Sequence, residues 1–346
     1  MAATQQDIAT QLNVSVTTVS LALRNHPRIP EETRRRVAEV AEQLGYKMNP
    51  MVAALMAQIR AGRAAGPGTV IGLLAPKGGR RFVEKNPYAY TRRMLGGIVR
   101  RAEELGYKLE WFEGERDDGR VDAAARVAAY RGVRGLLLPP LEREGGMLEA
   151  DWSPFSVVAI GQSHAVPGLH HIGHNLVDGM RMIVRSCIER GYRRMGLRLQ
   201  SRYDRRTGQL VTGTFYTLLD EWSGQNVSSR WVRRDDVPSD LGWFEWVRKE
   251  RLDVVITQFP EDLARARAAG FRVPDDLGLV FISLGEAPGE RTGIYQDPVA
   301  LGHAAVDLLT SHMHRNETGV PAFAKTVLTA PVWREGATLR KISSTE

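Results

Sequence analysis

The chain has 346 residues, 43% of them hydrophobic, so it is long enough for more than one domain and can bury sizeable cores. Its formal charge of +7 suits an anionic partner without requiring one. A single cysteine, Cys187, excludes a disulfide framework and a cysteine-based zinc site within one chain, and no run of 18 apolar residues offers a membrane span.

The opening stretch "MAATQQDIATQLNVS" lacks the basic and apolar regions of a secretory signal, so the expected setting is the cytoplasm. Residues 4–45 predict three short helices. Thr4 caps the first, with Ile8, Ala9 and Leu12 as its apolar positions, and Asn13 suits the turn that follows. Ser15 caps the second, which runs to about Arg24 with Val16, Val19, Ala22 and Leu23 on one face. "NHPRIP" is a loop stopped twice by proline. The third helix, Glu31 to Leu44, spaces Val37, Val40, Ala41 and Leu44 helically and ends at Gly45. Residues 1–65 carry eight Lys/Arg against five acids, a net +3 on a short segment.

Residues 50–60 predict a helix of Ala, Leu and Met, and 61–68 read as a Gly/Pro-rich basic linker. From Val70 the pattern changes to short apolar runs alternating with helical segments. Strands are predicted at 70–75, 108–113, 135–139, 156–161, 194–199, 229–233, 253–257 and 277–283, with a short one near 325–329. Helices fall near 89–105, 120–131, 175–190, 207–222, 240–250, 260–269 and 298–314. This alternation predicts βαβ units in two doubly wound lobes, with a ligand cleft at the C-terminal ends of the strands.

The second helix is a poor one by propensity. Val14, Val16, Thr17, Thr18 and Val19 are β-branched, and Ser15 and Ser20 compete with the backbone for hydrogen bonds. A helix-turn-helix explains this choice. Packing holds the helix, and its small polar groups can approach phosphates and base edges closely. A plain three-helix bundle is the structural alternative.

"QQDIATQLNVSVTTVSLALRNHPRIPEETRRRVAEVAEQLGYKMNP" resembles the N-terminal domain of the lactose-repressor/galactose-repressor family of bacterial transcription regulators. The matching pieces are Asp7-Ile8-Ala9, Val14-Ser15, Thr18-Val19-Ser20, Thr33-Arg34, Val37 and Leu44-Gly45-Tyr46 followed by Asn49. The remainder resembles that family's effector domain, itself similar to periplasmic sugar-binding proteins. The resemblance implies an all-α helix-turn-helix headpiece (1–48), a hinge helix and linker (49–68) and an α/β effector-binding and dimerisation domain (69–340) of two doubly wound, Rossmann-like lobes. The first lobe is expected over about 69–161 and 297–324, the second over about 162–290 and 325–340.

It also implies a homodimer on a near-palindromic double-stranded operator. The expected DNA-facing residues are Thr4, Ser15, Val16, Thr17, Thr18, Ser20, Leu21, Arg24, Asn25, His26 and Asn49. Leu55 matches the family's minor-groove wedge, with packing in a dimer core as its alternative. Leu21 stands where the lactose repressor has a base-reading arginine, so a bidentate guanine contact is unavailable there.

A small-molecule effector between the lobes is implied, a carbohydrate among the candidates. Its candidate contacts are Tyr88, Tyr90, Gln162, His174, Arg205, Gln258 and Asp297, with Arg206 an alternative to Arg205. The family often has Asp before the Asn of the second-lobe helix, where this chain has His174, and the late strand reads Ile282-Ser283-Leu284 in place of a Gly-Phe-Asp type sequence. Fewer carboxylates argue against a classical free sugar.

His170, His171 and His174 in "HHIGH" could suggest a metal, but no carboxylate or cysteine cluster accompanies them in the sequence. No cofactor, metal or catalytic grouping is expected. The rivals to a regulator are a solute-binding protein of the same fold with no regulatory role and an α/β enzyme.

Overall fold

The computed structural model describes residues 4–23, 28–46, 70–75, 77–85, 89–114, 121–140, 150–161, 168–222, 228–234, 242–285 and 289–342. The predicted hinge helix and linker therefore lie outside the described residues. Among those described, no helix is long and apolar enough to cross a membrane.

The first three helices are α1 (Gln5–Leu12), α2 (Val16–Ala22) and α3 (Glu31–Gln43). Thr4 and Asp7 form a capping box at the start of α1, and Asn13 closes the helix in the left-handed conformation with φ 52°. Gly45 takes the same role after α3 at φ 64°. Ile8, Ala9, Val19, Ala22, Val37, Val40 and Ala41 meet in one small core. That core, rather than propensity, holds α2 helical.

Two six-stranded sheets follow. The first contains β1 (Val70–Ala75), β2 (Lys108–Glu113), β3 (Gly135–Leu138), β4 (Ser156–Ile160), β5 (His170–His174) and β11 (Thr326–Thr329), in the order β11-β5-β4-β3-β1-β2. All its pairings are parallel. The second contains β6 (Arg194–Leu199), β7 (Ser228–Arg234), β8 (Val254–Thr257), β9 (Gly278–Leu284), β10 (Thr292–Tyr295) and β12 (Val332–Arg334), in the order β12-β10-β9-β8-β6-β7. Only β12 runs antiparallel. Both sheets share one winding. The chain starts in an inner strand, steps to one edge, then reverses and builds outward. Each has a topological switch point, between β1 and β3 and between β6 and β8, and ligands bind at such points beyond the strand C-termini.

Helices cover both faces of each sheet. In the first lobe these are α4 (Gly79–Lys85), α5 (Ala89–Glu104), α6 (Asp122–Tyr130) and α12 (Pro298–His314). The second has α7 (Leu176–Glu189), α8 (Ser201–Arg206), α9 (Leu210–Glu221), α10 (Trp243–Glu250) and α11 (Asp262–Ala268). Strand residues alternate between the two cores. Leu136 and Leu138 face the α6 side, while Leu137 packs with Met94, Ile98 and Leu309 on the other. Strands covered on both faces read as near-continuous apolar runs, which is why they are visible in the sequence.

The chain crosses between lobes at Asn175, at 296–297 and at 330–331. Crossings near 162 and 325, expected from the sequence, are corrected by strand pairing. His170–His174 lies between β4 and β11 in the first sheet, and Thr326–Thr329 pairs with it. Two glycines bring α5 and α12 together. A Cβ on Gly97 would lie 2.6 Å from Val299 O, and one on Gly302 would lie 2.5 Å from Met94 O. These helices carry the first lobe's contribution to the cleft.

Candidate DNA interface and effector cleft

On the headpiece, α2 turns Val19 and Ala22 into the core and leaves Val16 and Thr17 exposed, with Thr18, Ser20 and Leu21 half-buried. Ser15 is committed to the helix start. Its Oγ accepts the Thr18 N–H at 3.0 Å and lies 2.8 Å from Thr18 Oγ1. Thr4 is similarly engaged, donating its N–H to Asp7 Oδ2 at 2.7 Å while its hydroxyl lies 2.8 Å from the same atom. These hydrogen bonds hold the Asp7 carboxyl below the usual carboxylate range. The six candidates from Ser15 to Leu21 therefore share one short helix, and Thr4 begins the helix packed beside it. Arg24, Asn25, His26, Asn49 and Leu55 lie outside the described residues.

Between the lobes, Tyr90 near the start of α5 meets His174 at the end of β5. The Tyr90 hydroxyl is 2.5 Å from His174 Nε2, and His174 Nδ1 is 2.6 Å from Thr329 Oγ1. Thr329 Oγ1 in turn lies 3.4 Å from Gly173 O, to which it donates. One proton order fits this chain. Tyr90 donates to Nε2, and Nδ1–H donates to the Thr329 oxygen. The order holds only while phenol and imidazole are both neutral. Burial raises the Tyr90 pKa and pushes His174 down to about 4, so both conditions are met at neutral pH.

Asp297 caps α12, its Oδ1 accepting the N–H groups of Val299 at 2.9 Å and Ala300 at 3.3 Å. Its charge also reaches Tyr90 and His174. The residue expected to hold ligand thus also fixes the second crossing. From the other lobe, Tyr203 and Arg206 on α8 act on Tyr90, and the Arg206 guanidinium carbon sits 5.7 Å from the Tyr203 ring centre. Of the two arginines left open by sequence, Arg206 is half-buried and its charge acts on Tyr90, while Arg205 is exposed on the same helix. Arg93 spans the lobes, donating to Tyr295 Oη at 3.1 Å and to Gly285 O at 3.5 Å.

Gln258 follows β8 and ties it to β6. Its Oε1 accepts the Gln200 N–H at 2.8 Å. Just behind, Arg198 and Asp262 form a fully buried ion pair at 2.6 Å, with Thr257 Oγ1 donating to Asp262 at 2.6 Å. The Arg198 guanidinium lies 4.1 Å from the Phe259 ring centre. Tyr90 and His174 are in contact, and the Asp297 charge acts on both. Gln258 lies at the C-terminal edge of the second sheet, and Tyr88 and Gln162 fall outside the described residues. Thr329, Tyr203, Arg93 and Tyr295 were not anticipated, because only strand pairing and lobe contact bring them near.

The "HHIGH" histidines divide by position along β5, since His170 and His174, four residues apart, share one face of the strand. His174 enters the cleft; His170, at the other end of β5, stacks on His312 with ring centres 4.0 Å apart and planes 8° from parallel. Glu317 completes a group of three that could hold a metal by proximity. The ring geometry argues against it. In-plane lone pairs of face-to-face rings do not converge on one ion, and His170 Nδ1 already accepts the Lys325 N–H at 2.9 Å.

Residues 4–49 match the family described as bacterial regulatory proteins, lacI family, and residues 184–338 match the periplasmic binding protein-like domain. The chain carries a LacI-family helix-turn-helix domain joined to a periplasmic-binding-protein-like domain. Like the regulators it is similar to, it is a DNA-binding transcription regulator and not an enzyme. The HTH-type transcriptional repressor PurR of Pectobacterium atrosepticum is 26% identical to this chain over 323 residues, 89% of each protein. The NTD biosynthesis operon regulator NtdR of Bacillus subtilis is 23% identical over 285 residues, 80% of this chain and 81% of that one. Among solved structures, the Lac repressor dimer bound to operator and the anti-inducer ONPF aligns with a TM-score of 0.57 and 16% identity, covering 99% of this chain and 100% of that one. The CelR–cellobiose complex aligns at 0.57 and 18%, covering 97% and 99%. Both likenesses are of fold.

Proposed function

We propose that this regulator is a cytoplasmic repressor that binds a near-palindromic operator as a homodimer and is controlled by a small molecule held between its lobes. The α2 surface from Val16 to Leu21 faces the major groove of each half-site, and Leu55 of the hinge segment wedges into the minor groove at the centre. Tyr90, His174, Arg206 and Asp297 contact the effector. The carrying observation is a helix-turn-helix in one chain with two lobes joined by the hydrogen bond from Arg93 to Tyr295. An effector that favours one lobe arrangement shifts that equilibrium and, with it, DNA affinity.

Binding of the full chain to a selected near-palindromic duplex tests this reading. Affinity should fall steeply as salt rises, because phosphate contacts release counterions. Equal, weak binding to every duplex would favour a solute-binding protein without a regulatory role.

A further inference from the structure

We infer that α2 specifies its operator chiefly through thymine methyl groups, with Val16, Thr17 and Leu21 as the reading residues. This rests on the proposed DNA-binding role and narrows it to a class of base sequence. Thr17 and Leu21 are four residues apart and, by helical spacing, lie opposite the buried Val19 and Ala22. Val16, at the first helical position, is 37% exposed although nothing in helix formation calls for a β-branched residue there.

The polar capacity of this surface is small. Residues 15–23 read "SVTTVSLAL" and contain no Arg, Lys, Asn, Gln, Asp or Glu. Paired contacts to guanine, adenine or cytosine edges need those side chains. Ser15 and Thr18 spend their hydroxyls on each other and on the cap. What remains on this face is the exposed Val16 isopropyl group, the exposed Thr17 methyl and hydroxyl, and the half-buried Ser20 hydroxyl and Leu21 side chain. In the major groove, the thymine C5-methyl is the base feature that such groups distinguish by apolar contact. Hydroxyls contact either edge and discriminate weakly. The base pairs under α2 are therefore A·T pairs with the thymine methyl turned toward the helix.

The test begins by selecting duplexes with a randomised core on the full-length chain. The winning near-palindrome is then resynthesised with deoxyuridine replacing thymidine one position at a time, which removes only the methyl. Two or three positions per half-site should each lose about three- to fivefold in affinity, the size expected for one buried methyl. Leu21→Ala should abolish the sensitivity at one of them, and Leu21→Met, which keeps an apolar side chain, should retain it. Silence at every deoxyuridine, or G·C pairs selected throughout the half-site, would overturn the inference and leave the regulator reading standing. Enrichment of no sequence at all would remove the regulator reading and this inference with it.

Discussion

Arg93 Nη2 donates to Tyr295 Oη at 3.1 Å, joining a helix of the first lobe to the last parallel strand of the second sheet. This bond exists only while the lobes hold their present relation, so it biases the lobe equilibrium directly. Tyr295→Phe removes the acceptor and leaves the ring. Effector affinity should then change by several-fold, and operator affinity should move with it, since both read the same equilibrium. A ligand titration and a duplex titration on the same variant check this. Unchanged values in both would show that the bond carries no bias.

The buried imidazole makes the effector domain acid-sensitive. His174 titrates near pH 4 in the folded chain because burial disfavours its charge, against about 6.5 for an exposed histidine. The folded pKa is the lower one, so its stabilising effect is fully present above pH 6.5 and is lost as pH falls toward 4. One such group costs at most roughly 1.4 kcal/mol per pH unit across that window. His170 is depressed to about 4 as well, by burial first and His312 second. Urea melts of wild type and His174→Gln between pH 7 and 4.5 should show a shallower decline for the variant.

Arg198 and Asp262 are both 0% exposed, so neither can be left alone. Asp262→Ala strands a buried guanidinium and should cost about 3–5 kcal/mol. Replacing both partners together, Arg198→Met with Asp262→Leu, should cost clearly less. Denaturant melts of the single and double variants measure the difference.

The contact between α5 and α12 has no room for a methyl. Gly302→Ala puts a Cβ 2.5 Å from Met94 O, a backbone atom that moves only with its helix. The expected loss is about 1–3 kcal/mol, read by thermal or urea unfolding. Because the same helices carry Tyr90 and Asp297, weaker effector binding should accompany it.

Ser15→Ala removes the oxygen that accepts the Thr18 N–H at 3.0 Å. Helix-cap losses of this kind cost about 1 kcal/mol. The loss should appear as earlier melting of the headpiece, with the effector domain's transition unchanged.

Much of the fold was legible because its strands are apolar on both faces. Runs such as "VIGLLA" and "GLLLP" announce themselves. "HHIGH" did not, since three imidazoles and a glycine make no hydrophobic pattern, and only pairing on both sides makes it a strand. Thr292–Tyr295 and Val332–Arg334 have four and three residues, too few to show a period. The lobe boundaries expected near 162 and 325 shifted because β5 and β11 both join the first sheet. Within the cleft, side chains at strand ends such as His174 and Gln258 were visible from the winding rule. Pairs separated by long stretches of chain, such as Arg93 with Tyr295 or Arg198 with Asp262, have no local signature.

The central claim is coupling between the cleft and the operator surface. Its most direct measurement is the affinity of the full chain for its selected duplex, with and without the compound that most raises its melting temperature in a screen of sugars, sugar acids and nucleobases. The account predicts a change of at least about fivefold, matched by an equal change in compound affinity when duplex is present. A compound that saturates the cleft and leaves duplex affinity unchanged would contradict it.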